Sequence, residues 1–108
     1  MPLCVLRTNL AKTAFKANFH ATFTKLVADL LEKPTEKITL VVEAGSDMSR
    51  GGGLDPTLWL SIESINVFSA EKNPKIGQGL RKMLSDTLSL PEDRIVVTLR
   101  ELPKVDLA

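Results

Sequence analysis

The sequence predicts an α+β fold: a duplicated β-α-β unit that makes a four-stranded mixed sheet with two helices on one face. Three observations predict it. Two segments carry the apolar stripe of an amphipathic helix, each is flanked by short apolar runs of strand length, and the halves match at a constant offset. Pro34 recurs as Pro91, 57 positions on, and at the same offset Glu36 meets Asp93, Lys37 meets Arg94, Ile38 meets Ile95 and Leu40 meets Val97. The chain has 108 residues, 44% of them apolar. That describes one domain, residues 1–108, with halves at about 1–50 and 51–108.

The first strand is expected over Leu3 to Thr8, where apolar and polar residues alternate loosely. Phe19, Phe23, Leu26, Val27, Leu30 and Leu31 fall at i, i+4, i+7, i+8, i+11 and i+12 and define the first helix. Ile38 to Val42 is apolar at nearly every position and reads as a strand that wants cover on both faces. In the second half, Leu58 to Val67 is the expected strand, with Trp59 near its start. Ile76, Leu80, Met83, Leu84 and Leu88 form the second helical stripe. Asn73 followed by Pro74 reads as an N-cap with proline at the first helical position. Gly77 and Gly79 inside that helix each cost about 1 kcal/mol relative to alanine and have no explanation in the sequence. Ile95 to Leu99 closes the second unit.

Each strand, crossover helix and strand should form a parallel pair, and two pairs side by side leave one sheet face without helices. The economical cover for that face and for the open strand edges is another copy of the chain, so a homo-oligomer is expected. A chain of this size buries roughly two thirds of its extended surface and gains from such association.

Composition narrows the partners. Fourteen basic and thirteen acidic residues give a net charge of +1, without a basic run to follow a phosphate backbone, so nucleic acid is not expected. The lone Cys4 makes no internal disulfide. Neither a leader pattern nor an apolar stretch of about twenty residues is present, so membrane insertion is not expected and a cytoplasmic protein is. Gly51-Gly52-Gly53 lacks the flanking residues of a phosphate loop and reads as a turn. His20 falls on the polar face of its helix without spaced metal-ligand partners, so neither a metal nor a cofactor is expected. Cys4 reads as a small buried hydrophobe and Trp59 as a packing or interface anchor.

Met1-Pro2 opening a strand, Thr8-Asn9, Lys33-Pro34, Met48-Ser49-Arg50-Gly51-Gly52-Gly53 with Asp55-Pro56, Ser64-Ile65, Asn73 and Asp93-Arg94-Ile95 occur in an order and spacing that resembles the macrophage migration inhibitory factor and D-dopachrome tautomerase family. The likeness runs from Pro2 to about Leu102. It implies a homotrimer whose sheets line a central barrel, with pockets at subunit interfaces. It also implies keto–enol tautomerisation of a small aromatic substrate, of the phenylpyruvate or D-dopachrome type.

By the same resemblance, Pro2 is the catalytic base once Met1 is removed. A free α-amino group has a reference pKa of about 7.7–8.0 against about 10.4 for lysine, so a modest downward shift by apolar surroundings or a nearby cation makes it neutral near pH 7. Lys33 corresponds to the pocket lysine that would polarise a substrate oxygen, while Ser64, Ile65 and Val96 correspond to residues lining the pocket. Val5, with Ile65 and Val96, is expected to supply the apolar wall.

Departures from the family pattern refine this. Thr57 and Leu60 replace a Cys-x-x-Cys pair, which removes thiol-redox activity from the expectations. Val96 stands in place of a tyrosine, an aliphatic residue there being similar to the D-dopachrome branch; Thr98 stands in place of an asparagine, and Arg50 where an aromatic is often found. The sequence ends at Ala108, short of the family's C-terminal segment, with weakened activity as the expected consequence. Two other readings stand beside the enzyme. One is a cytokine-like protein exported without a leader and bound by a cell-surface receptor; the other is a ferredoxin-like ligand-binding module.

Overall fold

The computed structural model describes residues 1–108. Strands β1 (Leu3–Thr8), β2 (Thr39–Glu43), β3 (Leu58–Ser64) and β4 (Ile95–Glu101) form one sheet in the order β2-β1-β3-β4. The central pair β1 and β3 is antiparallel, and each outer strand lies parallel to its inner neighbour. Helix α1 (Phe19–Leu31) connects β1 to β2, and α2 (Asn73–Leu88) connects β3 to β4. The α+β class, the two helices and the four-stranded mixed sheet agree with the sequence.

Strand alternation decides which residues meet the helices. Cys4 and Leu6 of β1 and Leu58, Leu60 and Ile62 of β3 are buried. They belong to one apolar cluster with Phe19, Phe23, Val27 and Leu31 of α1 and Ile76, Leu80, Leu84 and Leu88 of α2. The helical stripes read from the sequence are therefore the core faces.

The repeat extends to backbone conformation. Each helix ends on a non-glycine residue in the left-handed region, Glu32 (φ 55°) and Ser89 (φ 56°), which are themselves 57 positions apart. At the same offset, the Lys33 N–H donates to the Ala28 carbonyl at 3.1 Å and the Leu90 N–H to the Ser85 carbonyl at 3.2 Å. Pro34 and Pro91 follow, where a helix cannot continue, and short 3-10 turns at Thr35–Lys37 and Glu92–Arg94 lead into β2 and β4.

Several local expectations change. β3 ends at Ser64 rather than Val67, because Asn66 adopts φ 56° and turns the chain away from the sheet. Asn73 is the first residue inside α2 and does not cap its free N–H groups. Its Oδ1 instead accepts the Ser69 N–H at 3.1 Å, while the Ser69 Oγ accepts the Lys72 N–H at 3.1 Å. Gly79 is explained by close helix packing: a Cβ there would stand 3.2 Å from Cδ1 of Leu30. Nothing in the structure explains Gly77, where a Cβ would have no neighbour within 4 Å.

The face of the sheet away from the helices carries Leu3, Val41, Trp59 and Val96, each 37–40% exposed. The register aligns Glu43, Arg7, Trp59 and Val96 in one row across it. Arg7 Nε pairs with Glu43 Oε2 at 3.0 Å and its guanidinium lies 5.6 Å from the Trp59 ring centre. Trp59 Nε1 donates to Thr98 Oγ1 at 2.9 Å. Val41 and Val96 thus point away from the core, and the uncovered face inferred from the sequence is present. No helix is long and apolar enough to cross a membrane.

Candidate active site

Parallel β1–β2 and antiparallel β1–β3 pairing brings the start of β1, the start of β2 and the end of β3 to one end of the sheet. Pro2 lies there, immediately before β1, a position where its missing N–H interrupts no ladder bond. Its carbonyl accepts the Thr39 N–H at 3.1 Å, and its ring is fully buried. The β1–β3 register pairs Leu3 with Glu63 and Cys4 with Ile62, so the next rung sets Pro2 opposite Ser64.

Ser64 is the last residue of β3, fully buried, and Ile65 follows half-buried on the turn that leaves the sheet. The Ser64 carbonyl accepts the Leu102 N–H at 2.9 Å, but its Oγ has no hydrogen-bond partner. Lys33 stands just beyond α1 at this same end. It lines a cleft of about 560 Å³ that also takes in Asn66 and Val67, the two residues after Ile65, and Lys72 and Lys75 near the start of α2. Pro2, Ser64 and Ile65 are not among the walls of that cleft.

Val96 is not brought to this group. It pairs with Trp59 on the uncovered face, five residues back along β3 from Ser64, which at strand rise is about 16 Å toward the other end. Val5 is also on the uncovered face, in register with Val41 and Ser61, so its side chain does not share the Pro2 side of the sheet. One chain therefore carries Pro2, Ser64 and Ile65 at one end of the sheet, with Lys33 in a neighbouring cleft that none of the three lines, and leaves Val96 and Val5 elsewhere.

Two residues with structural consequences carried no role in the sequence reading. Asn9 Nδ2 lies 3.1–3.3 Å from the carbonyls of Met48, Leu54 and Asp55, and its Oδ1 accepts the Thr57 N–H at 2.9 Å. Arg94 donates to the carbonyls of Pro56 at 3.0 Å and Asp55 at 2.8 Å. Together they hold the long connection between β2 and β3. An asparagine after a strand signals a turn, but its partners forty residues away leave no mark in local sequence. Burial pushes the Cys4 thiol up to about 12, so it stays neutral in the folded chain.

The profile of the family described as Macrophage migration inhibitory factor (MIF) matches residues 1–108. This chain belongs to the macrophage migration inhibitory factor family. It is 33% identical over 103 residues to a MIF-like protein of Caenorhabditis elegans, covering 95% of this chain and 86% of that protein. It is 30% identical over 98 residues to the D-dopachrome decarboxylase of Mus musculus, covering 90% of this chain and 83% of the relative. The structure of the inhibitory factor of Trichinella spiralis superposes with a TM-score of 0.94 at 23% identity, over 98% of this chain and 94% of that one. This last likeness concerns the fold alone, and it extends the family's two-helix, four-stranded architecture to this member.

Proposed function

We propose that, with Met1 removed, this family member is a keto–enol tautomerase that uses the secondary amine of Pro2 as its base. Its substrate class is a small aromatic 2-oxo acid or a dopachrome-like ring. The observation that carries the reading is the seat of Pro2: a buried proline ring, tied to β2 through its carbonyl, at the sheet end that also holds Ser64 and Ile65, with Lys33 in the neighbouring cleft beside Asn66 and Val67. Family membership and relatives named D-dopachrome decarboxylase support the chemistry.

The step needs a base that is neutral near pH 7 and a cation beside the oxygen that gains charge. The neutral Pro2 amine takes the proton from the carbon next to the substrate carbonyl and becomes the ammonium. The electron pair moves onto the carbonyl oxygen, which Lys33 stabilises as it becomes an enolate. Protonation of that oxygen and loss of the proton from Pro2 complete the cycle. The rigid ring holds the nitrogen in one position, which favours a reproducible transfer geometry.

We further propose a homotrimer in which the uncovered faces meet as a central barrel. Exposed Leu3, Val41, Trp59 and Val96 and the free edges of β2 and β4 support this. Val96 then lines the pocket of a neighbouring copy, since within its own chain it is far from Pro2. Rat and nematode relatives named macrophage migration inhibitory factor favour a second reading, a signalling role outside cells after leader-independent export and through a cell-surface receptor.

The test is an ultraviolet assay of phenylpyruvate and D-dopachrome methyl ester on protein shown by mass to lack Met1, beside Pro2→Gly and Lys33→Ala. Activity falling at least tenfold in Pro2→Gly supports the enzyme. Equal activity in des-Met1 wild type and Pro2→Gly removes it and leaves the signalling reading. Light scattering that gives a monomer at high concentration removes the trimer and the shared pocket.

A further inference from the structure

The buried side-chain hydroxyl of Ser64 is the one buried side-chain polar atom in the chain without a hydrogen-bond partner. Buried polar groups in folded proteins are nearly always paired, so the exception calls for a physical account. Its position supplies one. Continued one step beyond the Leu3–Glu63 pair, the antiparallel register sets Pro2 opposite Ser64, and both residues are buried. The Pro2 carbonyl turns outward to Thr39 of β2, and the Ser64 carbonyl turns outward to Leu102. The rung is therefore of the non-hydrogen-bonded kind, where the two Cα atoms stand about 4.5 Å apart and side chains approach most closely.

While Met1 is attached, the Pro2 nitrogen is a tertiary amide with neither an N–H to donate nor a basic lone pair to accept. It can offer Ser64 nothing, and the hydroxyl is orphaned. Loss of Met1 creates at that nitrogen both a donor and, in the neutral form, an acceptor. We propose that removal of Met1 supplies the missing partner, so that Ser64 Oγ hydrogen-bonds the Pro2 amine and acts as its positioning residue. This inference rests on the reading of Pro2 as the base and adds to it a group that sets the amine's orientation and proton affinity.

The direction of the effect follows from bond strength. A hydrogen bond from the Pro2 ammonium to the hydroxyl oxygen is charge-assisted and stronger than one from the hydroxyl to the neutral amine. Ser64 therefore favours the protonated form. The charged groups at this end of the sheet are Lys33, Glu36 and Lys37 on the α1–β2 connection, Glu63 and its register partner Arg100 on the uncovered face, Glu101 in register with Ser64, and Asp29, Glu32, Glu71, Lys72 and Lys75 on or beside the two helices. None of them hydrogen-bonds the Ser64 hydroxyl.

The test uses the full chain in two forms, des-Met1 protein and a chain with one alanine inserted between Met1 and Pro2, which keeps the proline nitrogen an amide. Each is made with Ser64, Ser64→Ala and Ser64→Cys. The Pro2 nitrogen is titrated by NMR in ¹⁵N-proline-labelled des-Met1 protein, and melting is followed in every variant. Ser64→Ala is expected to lower the Pro2 pKa by about half a unit or more, with the acid limb of any pH–rate profile moving the same way. It is expected to lower the melting temperature of the des-Met1 form by several degrees and to leave the alanine-extended form unchanged or more stable.

A Pro2 titration unmoved by either substitution, or an equal melting shift in both forms, overturns the proposal and assigns the hydroxyl to bound water. If the alanine variant does not fold, Ser64→Cys, with a weaker donor and acceptor of similar size, carries the same expectation on a smaller scale. Neither readout needs turnover. Full activity in Pro2→Gly would remove the base while the hydrogen bond stood or fell on its own titration.

Discussion

Replacing Asn9 with alanine is expected to destabilise the fold by roughly 2–5 kcal/mol, although Asn9 lies outside the hydrophobic core. Its Oδ1 is the acceptor for the N–H of Thr57, a residue only 4% exposed, and a buried donor left without a partner costs about 1–3 kcal/mol. The two N–H bonds of its carboxamide are shared among three carbonyls at 3.1, 3.2 and 3.3 Å. Water can replace part of that contribution, so these add about 0.5–1 kcal/mol each. The assay is urea unfolding of wild type and Asn9→Ala at one fixed protein concentration, since association would shift apparent stability. Asn9→Asp sharpens the test. It keeps the acceptor for Thr57 but aims a carboxylate at three carbonyl oxygens, and should be no better than alanine. A loss below about 0.5 kcal/mol in Asn9→Ala, or wild-type stability in Asn9→Asp, would refute the role of this side chain as the clamp on the β2–β3 connection.

Two further perturbations read other parts of the fold. Gly77→Ala is expected to stabilise the chain by up to about 1 kcal/mol, because a methyl group there meets nothing. Gly79→Ala should gain less or lose, since Leu30 must move aside, and thermal melts of the two variants under the same conditions check the order. Cys4 should resist a thiol reagent at pH 8 in the native protein and react promptly in urea, because burial raises its pKa from 9.0 to about 12. The native preference for the neutral thiol is present in full below 9.0 and lost as pH rises from there to about 12. Cys4→Ala should flatten that alkaline decline, and an unchanged slope would assign it to other groups.

The local and periodic features of this protein were legible in its sequence. Stripes at Phe19–Leu31 and Ile76–Leu88 announced both helices because helical period and burial act through neighbours three and four residues apart. The repeat announced two equivalent halves, and the structure carries it to the left-handed ends at Glu32 and Ser89. Strand patterns marked β1, β2 and β4, and the apolar runs foretold a face without cover. The end of β3 was not legible, because Asn66 turns the chain through a backbone conformation that hydrophobic patterning does not encode.

Tertiary structure decided the relations among distant residues. The antiparallel register of the central strands set Pro2 against Ser64, and parallel pairing set Val96 on the other face and toward the other end. Asn9 and Arg94 acquired partners only when a connection some forty residues away folded back on them. Side-chain period within an element is a property of consecutive residues and can be read from them. Which elements lie side by side, in what register, is settled by the shared core of the whole chain, and the orphaned hydroxyl of Ser64 beside Pro2 belongs to that level alone.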